Sequence, residues 1–208
     1  MIGGNIATYE GARDVIKMGS DAVRVGIGPG STCTTRIVAG VGVPQLTAIM
    51  EAYKAASEQD IPVIADGGIR NPGDVVKALA AGASTVMIGR LFAGTDESPG
   101  PIILRNGKRY KVYRGMASLS ARVGKEVATK GVEDSEVSEY SYSTEGVEAF
   151  VEYRGSVEDI VKRLISGLRS GMSYLGTFDI DELRMNAEFI MITNASIKES
   201  YPHDVILW

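Results

Sequence analysis

Cysteine and histidine are almost absent from this chain: among 208 residues, Cys33 is the one thiol and His203 the one imidazole. One cysteine forms no internal disulfide, and a reducing cytoplasm is the simple expectation. One Cys and one His do not supply a usual closed zinc site. No apolar run approaches the roughly 20 residues of a membrane span, and no signal peptide is legible at the start. The formal net charge is −4, from 22 basic and 26 acidic residues without a basic block, which argues against a nucleic-acid scaffold. The rest is ordinary for a globular chain, 44% hydrophobic and 23% charged, long enough for a sizeable core.

Glycine is plentiful, with 25 residues, and it clusters just after apolar runs. Glycine there permits positive φ and close approach of the backbone to a ligand. The runs alternate with helical patterns. Met1-Ile2 leads into Gly3-Gly4-Asn5, and Thr8 caps a helix over 9–18. Residues 21–27 read as a strand, 44–58 as a helix with Pro44 in its first turn, and 61–65 as a strand ending in Asp66-Gly67-Gly68. Asn71-Pro72-Gly73-Asp74 starts a helix that Gly82 ends, and 85–88 is a strand ending in Gly89-Arg90. Strand, glycine-rich turn and helix in repetition is the signature of a parallel sheet. The near-continuous apolar strands predict cover on both faces. An open doubly wound sheet and a (β/α)8 barrel both fit, and both place sites at the carboxyl ends of strands.

Beyond Pro101 the texture changes. Residues 102–113 read as a hairpin around Asn106-Gly107. Residues 115–147 are polar with little periodicity, as in a functional flap or a disordered segment, and the acidic stretch 133–139 reads as the solvated face of a flap. Ser156 caps a helix to Leu175, 179–187 is a short helix, 189–193 a short strand, and 194–208 a tail. The expected division is 1–100 for the βα units, 101–150 for hairpin and flap, and 151–208 for the C-terminal helices and tail. Met172, Met185 and Met191 read as core, and His203 as a packing or tail contact.

The chemistry-bearing residues converge on the strand ends. Asp66-Gly67-Gly68 and Gly89-Arg90 close consecutive βα units, where backbone N–H groups bind phosphate in many barrels. Arg90 adds a cation, and Asp66 an acceptor for ribose hydroxyls. The alternative is that Asp66-Gly67 is only a tight turn. Cys33 lies in the preceding loop, "GPGSTCTTR". It is either a nucleophile or a chance loop cysteine, since no base lies nearby in sequence.

The segments "GNIATYEGA", "VGIGPGSTCTTRIVAGVGVPQLTAI", "IADGGIRNPGDVVKALAAGASTVMIGRLFAGTDESPG", "YKVYRGMASLSA", "EGVEA", "GLRSGMSYLG" and "ESYPHDV" resemble, in order, the IMP dehydrogenase/GMP reductase family. The resemblance implies an α/β fold, the C-terminal half (strands five to eight) of a (β/α)8 TIM barrel with a polar flap and C-terminal helices. It implies a purine nucleotide substrate. Cys33 would attack purine C2 while hydride leaves to NAD, and Thr35 with Glu145 would assist proton transfer as water resolves the adduct. Ser31, Gly68, Gly89, Arg90 and Tyr113 would hold phosphate, Asp66 the ribose, and Met116 and Ala117 the hypoxanthine. Gly26 would face the cofactor. Carbonyls of Gly28, Gly30 and Cys33 would hold a monovalent cation, K+, joined by Glu199, Ser200 and Tyr201 of a neighbouring copy in a homotetramer.

The sequence also departs from the family pattern. It begins at a segment matching the fifth strand, so strands one to four and their nicotinamide-side Asp are expected from a partner half, from self-association or from a longer product. The flap, 123–144, contains no Arg, whereas the dehydrogenases carry an Arg-Tyr pair there. Tyr140 and Tyr142 stand before Glu145, as in the flap of the reductases but in a different register. Ala117 replaces a common Gly, and Arg90 a frequent Ser. Three functions follow: an IMP dehydrogenase half, which the "RIVAGVGVPQ" and "HDV" motifs favour; an NADPH-dependent GMP reductase, which the flap favours; or a non-catalytic nucleotide-binding half.

Overall fold

The computed structural model describes residues 1–121 and 144–206. The expectations for Tyr140, Tyr142 and the acidic stretch 133–139 lie outside these residues. The first unit is a parallel sheet of four strands in sequential order, β1 (Ile2–Ile6), β2 (Ala22–Val25), β3 (Val63–Asp66) and β4 (Thr85–Met87). Helices α1 (Tyr9–Lys17), α3 (Gln45–Ser57) and α4 (Pro72–Ala80) connect them. A short α2 (Thr35–Val38) precedes α3, and α5 (Arg90–Ala93) follows β4.

Local signals explain the helix ends. The Thr8 hydroxyl accepts from the Gly11 N–H at 3.1 Å, satisfying one orphan donor of α1. Asn71 and Asp74 form a reciprocal capping box at the start of α4, with Pro72 in its first turn. Pro44 is the N-cap of α3 rather than part of its first turn.

Register fixes which side chains meet the helices. Val23 pairs with Val63, and Val25 with Ala65, which pairs in turn with Val86. Val23, Val25, Val63 and Ala65 are fully buried, together with Ala48, Ile49 and Ala52 of α3. The alternate row, Gly4, Arg24, Ile64 and Thr85, points to the opposite face. That face is only partly covered among the described residues, with Arg24 and Ile64 half-buried and Thr85 exposed. The expected burial of both faces is therefore corrected. The apolar runs in the sequence are continuous, but their period-2 projection places only one set against helices.

The hairpin forms as expected from β5 (Ile102–Arg105) and β6 (Lys108–Arg114), with Asn106 and Gly107 at φ 52° and 74°, as a tight mirror-image turn demands. A third strand, β7 (Glu148–Glu152), pairs antiparallel to β6 and was not anticipated. Buried Lys111 of β6 donates to the carbonyls of Thr95 (2.8 Å) and Ser98, tying the hairpin to the segment after α5.

Helix α6 (Val157–Leu175) packs on α4. Gly167 allows this approach, because a Cβ there would overlap Pro72. Its start is capped twice. Ser156 accepts from Glu158 N–H, and Glu97 accepts from Val157 N–H at 2.9 Å. That backbone donor holds the Glu97 carboxyl below the usual carboxylate range. Asp179 caps α7 (Ile180–Asn186).

Three further expectations are corrected. Residues 189–193 are not a strand: Ile190 is 83% and Met191 101% exposed, and no neighbouring strand pairs with them among the described residues. The expected tail contains α8 (Asn194–Glu199), capped by Thr193. Met185 and Met191 are exposed, so of the three methionines only Met172 packs on the core. His203 bonds locally, to the Tyr201 carbonyl.

Candidate active site

A cleft of about 540 Å³ opens at the carboxyl ends of β2, β3 and β4, and its lining includes Ser31, Asp66, Gly68, Gly89, Arg90 and Tyr113. Six residues expected to hold substrate are thus brought together. Gly67 shapes the floor. Its φ is 90°, and a Cβ there would lie 3.1 Å from Pro29 Cγ and 3.2 Å from Gly30 N, so side chains are disfavoured on two grounds. Gly89 is constrained differently. Its φ of −93° and ψ of −74° suit any residue, but a Cβ would sit 2.5 Å from the Tyr113 hydroxyl. The glycine therefore lets the hairpin lay Tyr113 directly over the end of β4.

The loop after β2 places Cys33 beside this cleft and gives it partners. Cys33 Sγ lies 3.2 Å from Thr35 Oγ1, and that hydroxyl donates to Glu145 Oε2 at 2.6 Å. Backbone bonds hold the two segments in register. Thr34 N–H donates to the Glu145 carbonyl (3.0 Å) and Val147 N–H to the Thr32 carbonyl (2.9 Å), while Cys33 and Gly146 form an isolated antiparallel bridge. The sulfur, hydroxyl and carboxylate form one continuous chain, with Cys33, Thr35 and Glu145 all partly exposed. A nucleophile backed by an oriented hydroxyl and a carboxylate can attack an electrophilic carbon and pass a proton from water.

The turn bearing Met116 and Ala117 packs beside this chain. A Cβ at Gly115 would be 3.2 Å from the Thr32 carbonyl, and one at Gly146 would be 3.1 Å from Ala117. Ala117 is half-buried there, and the Met116 side chain is 86% exposed.

Asp66 has a more detailed setting than a tight turn requires. Arg24 approaches its Oδ2 through Nη2 at 2.8 Å and Nε at 3.0 Å, and Asn5 Nδ2 at 2.8 Å. Gln45 Nε2 donates to the carbonyls of Val25 and Asp66, at 2.9 and 3.2 Å. Sequence reasoning missed Asn5, Arg24, Gln45 and Arg36. The Arg36 side chain fills the space beside Gly28 and Gly42 and donates to the Val43 carbonyl at 2.6 Å, bracing the cysteine loop. A lone Arg in the apolar β2 was the one available signal.

Gly26 does not line the cleft. Gly26 is buried, and a Cβ there would overlap the Asp66 carbonyl and crowd the Gln45 amide, which gives this glycine a packing role between β2 and β3. Glu199, Ser200 and Tyr201, expected to reach the cation from a neighbouring copy, close α8. The Gly30 carbonyl accepts from Cys33 N–H at 3.1 Å, using one of its two lone pairs.

No helix among the described residues is long and apolar enough to cross a membrane. The model of the IMP dehydrogenase / GMP reductase domain matches residues 1–203. The chain is 54% identical over 207 residues to the inosine-5'-monophosphate dehydrogenase of Nitrosopumilus maritimus, spanning 100% of this chain and 44% of that one. It is 57% identical over 206 residues to the enzyme of that name from Aquifex aeolicus, spanning 99% of this chain and 41% of that one. The crystal structure of a cysteine-to-alanine variant of GMP reductase from Trypanosoma brucei, in complex with guanosine 5'-monophosphate, superposes with a TM-score of 0.89 at 44% identity, covering 99% of this chain and 41% of that one. The chain thus spans less than half the length of these relatives, and with its parallel sheet, its glycine-lined cleft and its Cys–Thr–Glu chain it belongs to the IMP dehydrogenase/GMP reductase family.

Proposed function

We propose that this chain carries the nucleotide-binding and covalent-catalysis half of an IMP dehydrogenase-type oxidoreductase, converting IMP, NAD and water to XMP and NADH. The observation that carries this reading is the unbroken Cys33–Thr35–Glu145 contact at the rim of a glycine-lined cleft. In this reading Ser31, Gly68, Gly89, Arg90 and Tyr113 bind phosphate, Asp66 the ribose, and the Met116-Ala117 turn the base. Bound NAD supplies the hydride acceptor. Cys33 Sγ bonds to purine C2 as hydride departs and the thiol proton is released. Water then attacks C2, Thr35 passes its proton to Glu145, and the C–S bond breaks to give the 2-oxo product.

The four βα units are read as half of a (β/α)8 barrel. Support comes from the sequential parallel order, the partly covered face bearing Arg24 and Thr85, and the site at the strand ends. The remaining half would cover that face and bring the nicotinamide. A potassium ion would fit carbonyl donors at Gly28, Gly30 and Cys33, hard oxygen ligands as such cations prefer, with Glu199, Ser200 and Tyr201 reaching it from a second copy in a tetramer.

A second reading, NADPH-dependent conversion of GMP to IMP and ammonia, is favoured by the absence of Arg from 123–144. Absorbance at the NADH band decides. Its growth with IMP and NAD supports the dehydrogenase, and its decay with GMP and NADPH supports the reductase. If neither occurs but IMP raises the melting temperature, the chain is a nucleotide-binding half that needs its complement for turnover. Absence of all three overturns the reading.

A further inference from the structure

Asp66 ends β3 and lines the cleft, yet every side-chain hydrogen bond it receives falls on one oxygen. Arg24 Nε and Asn5 Nδ2 donate to Oδ2 at 3.0 and 2.8 Å, and Arg24 Nη2 forms an ion pair with the same oxygen at 2.8 Å. An Arg–carboxylate pair that serves stability alone gains most from the fork geometry, with two parallel bonds to two oxygens. Here the fork is not used, and Oδ1 has no hydrogen-bond partner among the described residues. The donors are themselves fixed. Asn5 Nδ2 also donates to the Gly26 carbonyl at 2.9 Å. Arg24 rises from a strand whose flanking residues, Val23 and Val25, are fully buried. The main chain of Asp66 is held by Gln45 at 3.2 Å. The carboxylate is therefore pinned on one side and open on the other. An ionised carboxylate only accepts hydrogen bonds, so with Oδ2 held by its donors the unpartnered Oδ1 suits a ligand hydroxyl approaching from a set direction.

We propose that Asn5 and Arg24 are positioning residues that make Asp66 a one-sided acceptor and thereby set a preference for ribonucleotides over their deoxy analogues. This rests on the nucleotide reading above. Its physical content is directional. With either donor removed, Asp66 rotates about its terminal torsion, where the barrier is low, and water competes for both oxygens. The ligand hydroxyl then exchanges one hydrated acceptor for another and gains little.

The test measures the affinity of the full chain by calorimetry for IMP, 2'-deoxy-IMP, 3'-deoxy-IMP and inosine. Variants are Asn5→Ala, Arg24→Met and Arg24→Lys. The unmodified chain is expected to bind at least one deoxy analogue about tenfold more weakly than IMP, the scale of one hydrogen bond to a charged group. That gap shrinks to about threefold or less in Asn5→Ala and Arg24→Met, and Arg24→Lys falls between. The advantage of IMP over inosine, which reports phosphate, stays unchanged. Should Arg24→Met not fold, Asn5→Ala, which removes only a neutral amide, carries the test alone. Equal weakening of all four ligands, or a deoxy gap the same in variants and parent, overturns the proposal. So does a parent chain that binds IMP and both deoxy analogues alike, while leaving the nucleotide reading intact. A parent chain that binds none of the four overturns both.

Discussion

Replacing Gly89 with alanine isolates the part that the β4 terminus plays in phosphate binding. The backbone angles at Gly89, φ −93° and ψ −74°, are open to alanine, so any effect comes from the added methyl. That methyl would lie 2.5 Å from the Tyr113 hydroxyl, whereas ordinary contact begins at 3.4 Å. The hydroxyl must retreat by about 0.9 Å, enough to stretch a bond of about 2.8 Å past the useful range. If Tyr113 donates to the phosphate, its loss costs about 1.5 kcal/mol, about tenfold in affinity. Calorimetry with IMP and with inosine is the assay: Gly89→Ala weakens IMP and leaves inosine nearly untouched. The double variant with Tyr113→Phe removes the group the methyl strikes, so it binds IMP no worse than Tyr113→Phe alone, a non-additivity that reports contact. Full IMP affinity in Gly89→Ala, or simple additivity of the two losses, refutes the steric argument.

Other perturbations separate the remaining parts. Thr35→Val keeps shape but cuts the 3.2 and 2.6 Å contacts joining Cys33 to Glu145; where turnover is seen, rapid quench should find hydride transfer retained and hydrolysis slowed about 10²-fold or more, and equal slowing of both steps would remove Thr35 from the water step. Asn71→Ala breaks the capping box at α4 and should lower stability by about 1 kcal/mol in urea without altering inosine affinity; an unchanged midpoint would contradict the capping role. Glu97 is held below its ordinary carboxyl value chiefly by the Val157 N–H, so its contribution is present above the unfolded value and fades as pH falls through the lower, folded one. The melting-temperature gap between parent and Glu97→Gln should accordingly close with acidification below about pH 4.5; a gap that widens reverses the sign and removes this linkage.

The parallel βα units were legible because each carries its punctuation: Thr8, the Asn71–Asp74 box and the glycines after β3 and β4 act locally. Strand β7 was not, since its five residues follow a long polar stretch and gain their register from β6. The helix in the tail was hidden because Thr193, its cap, reads equally well as the end of an exposed apolar run. Cys33 could be placed near the cleft from the order of strands. Its carboxylate partner stands 110 residues beyond Thr35, a pairing that no local spacing encodes; only the family resemblance named it. The pinning of Asp66 depends on three strands lying side by side, which the alternation of apolar residues implies without saying which polar groups meet.

The central claim is that Cys33 stands where a bound purine nucleotide covers it, and its alkylation rate tests this directly. Iodoacetamide modification followed by peptide mass spectrometry reads the one thiol of the chain without requiring turnover. The account predicts that saturating IMP slows labelling of Cys33 about tenfold or more, as occlusion in a formed complex demands, and that Gly89→Ala needs correspondingly more IMP for the same protection. Labelling at an unchanged rate under IMP concentrations that raise the melting temperature would contradict it.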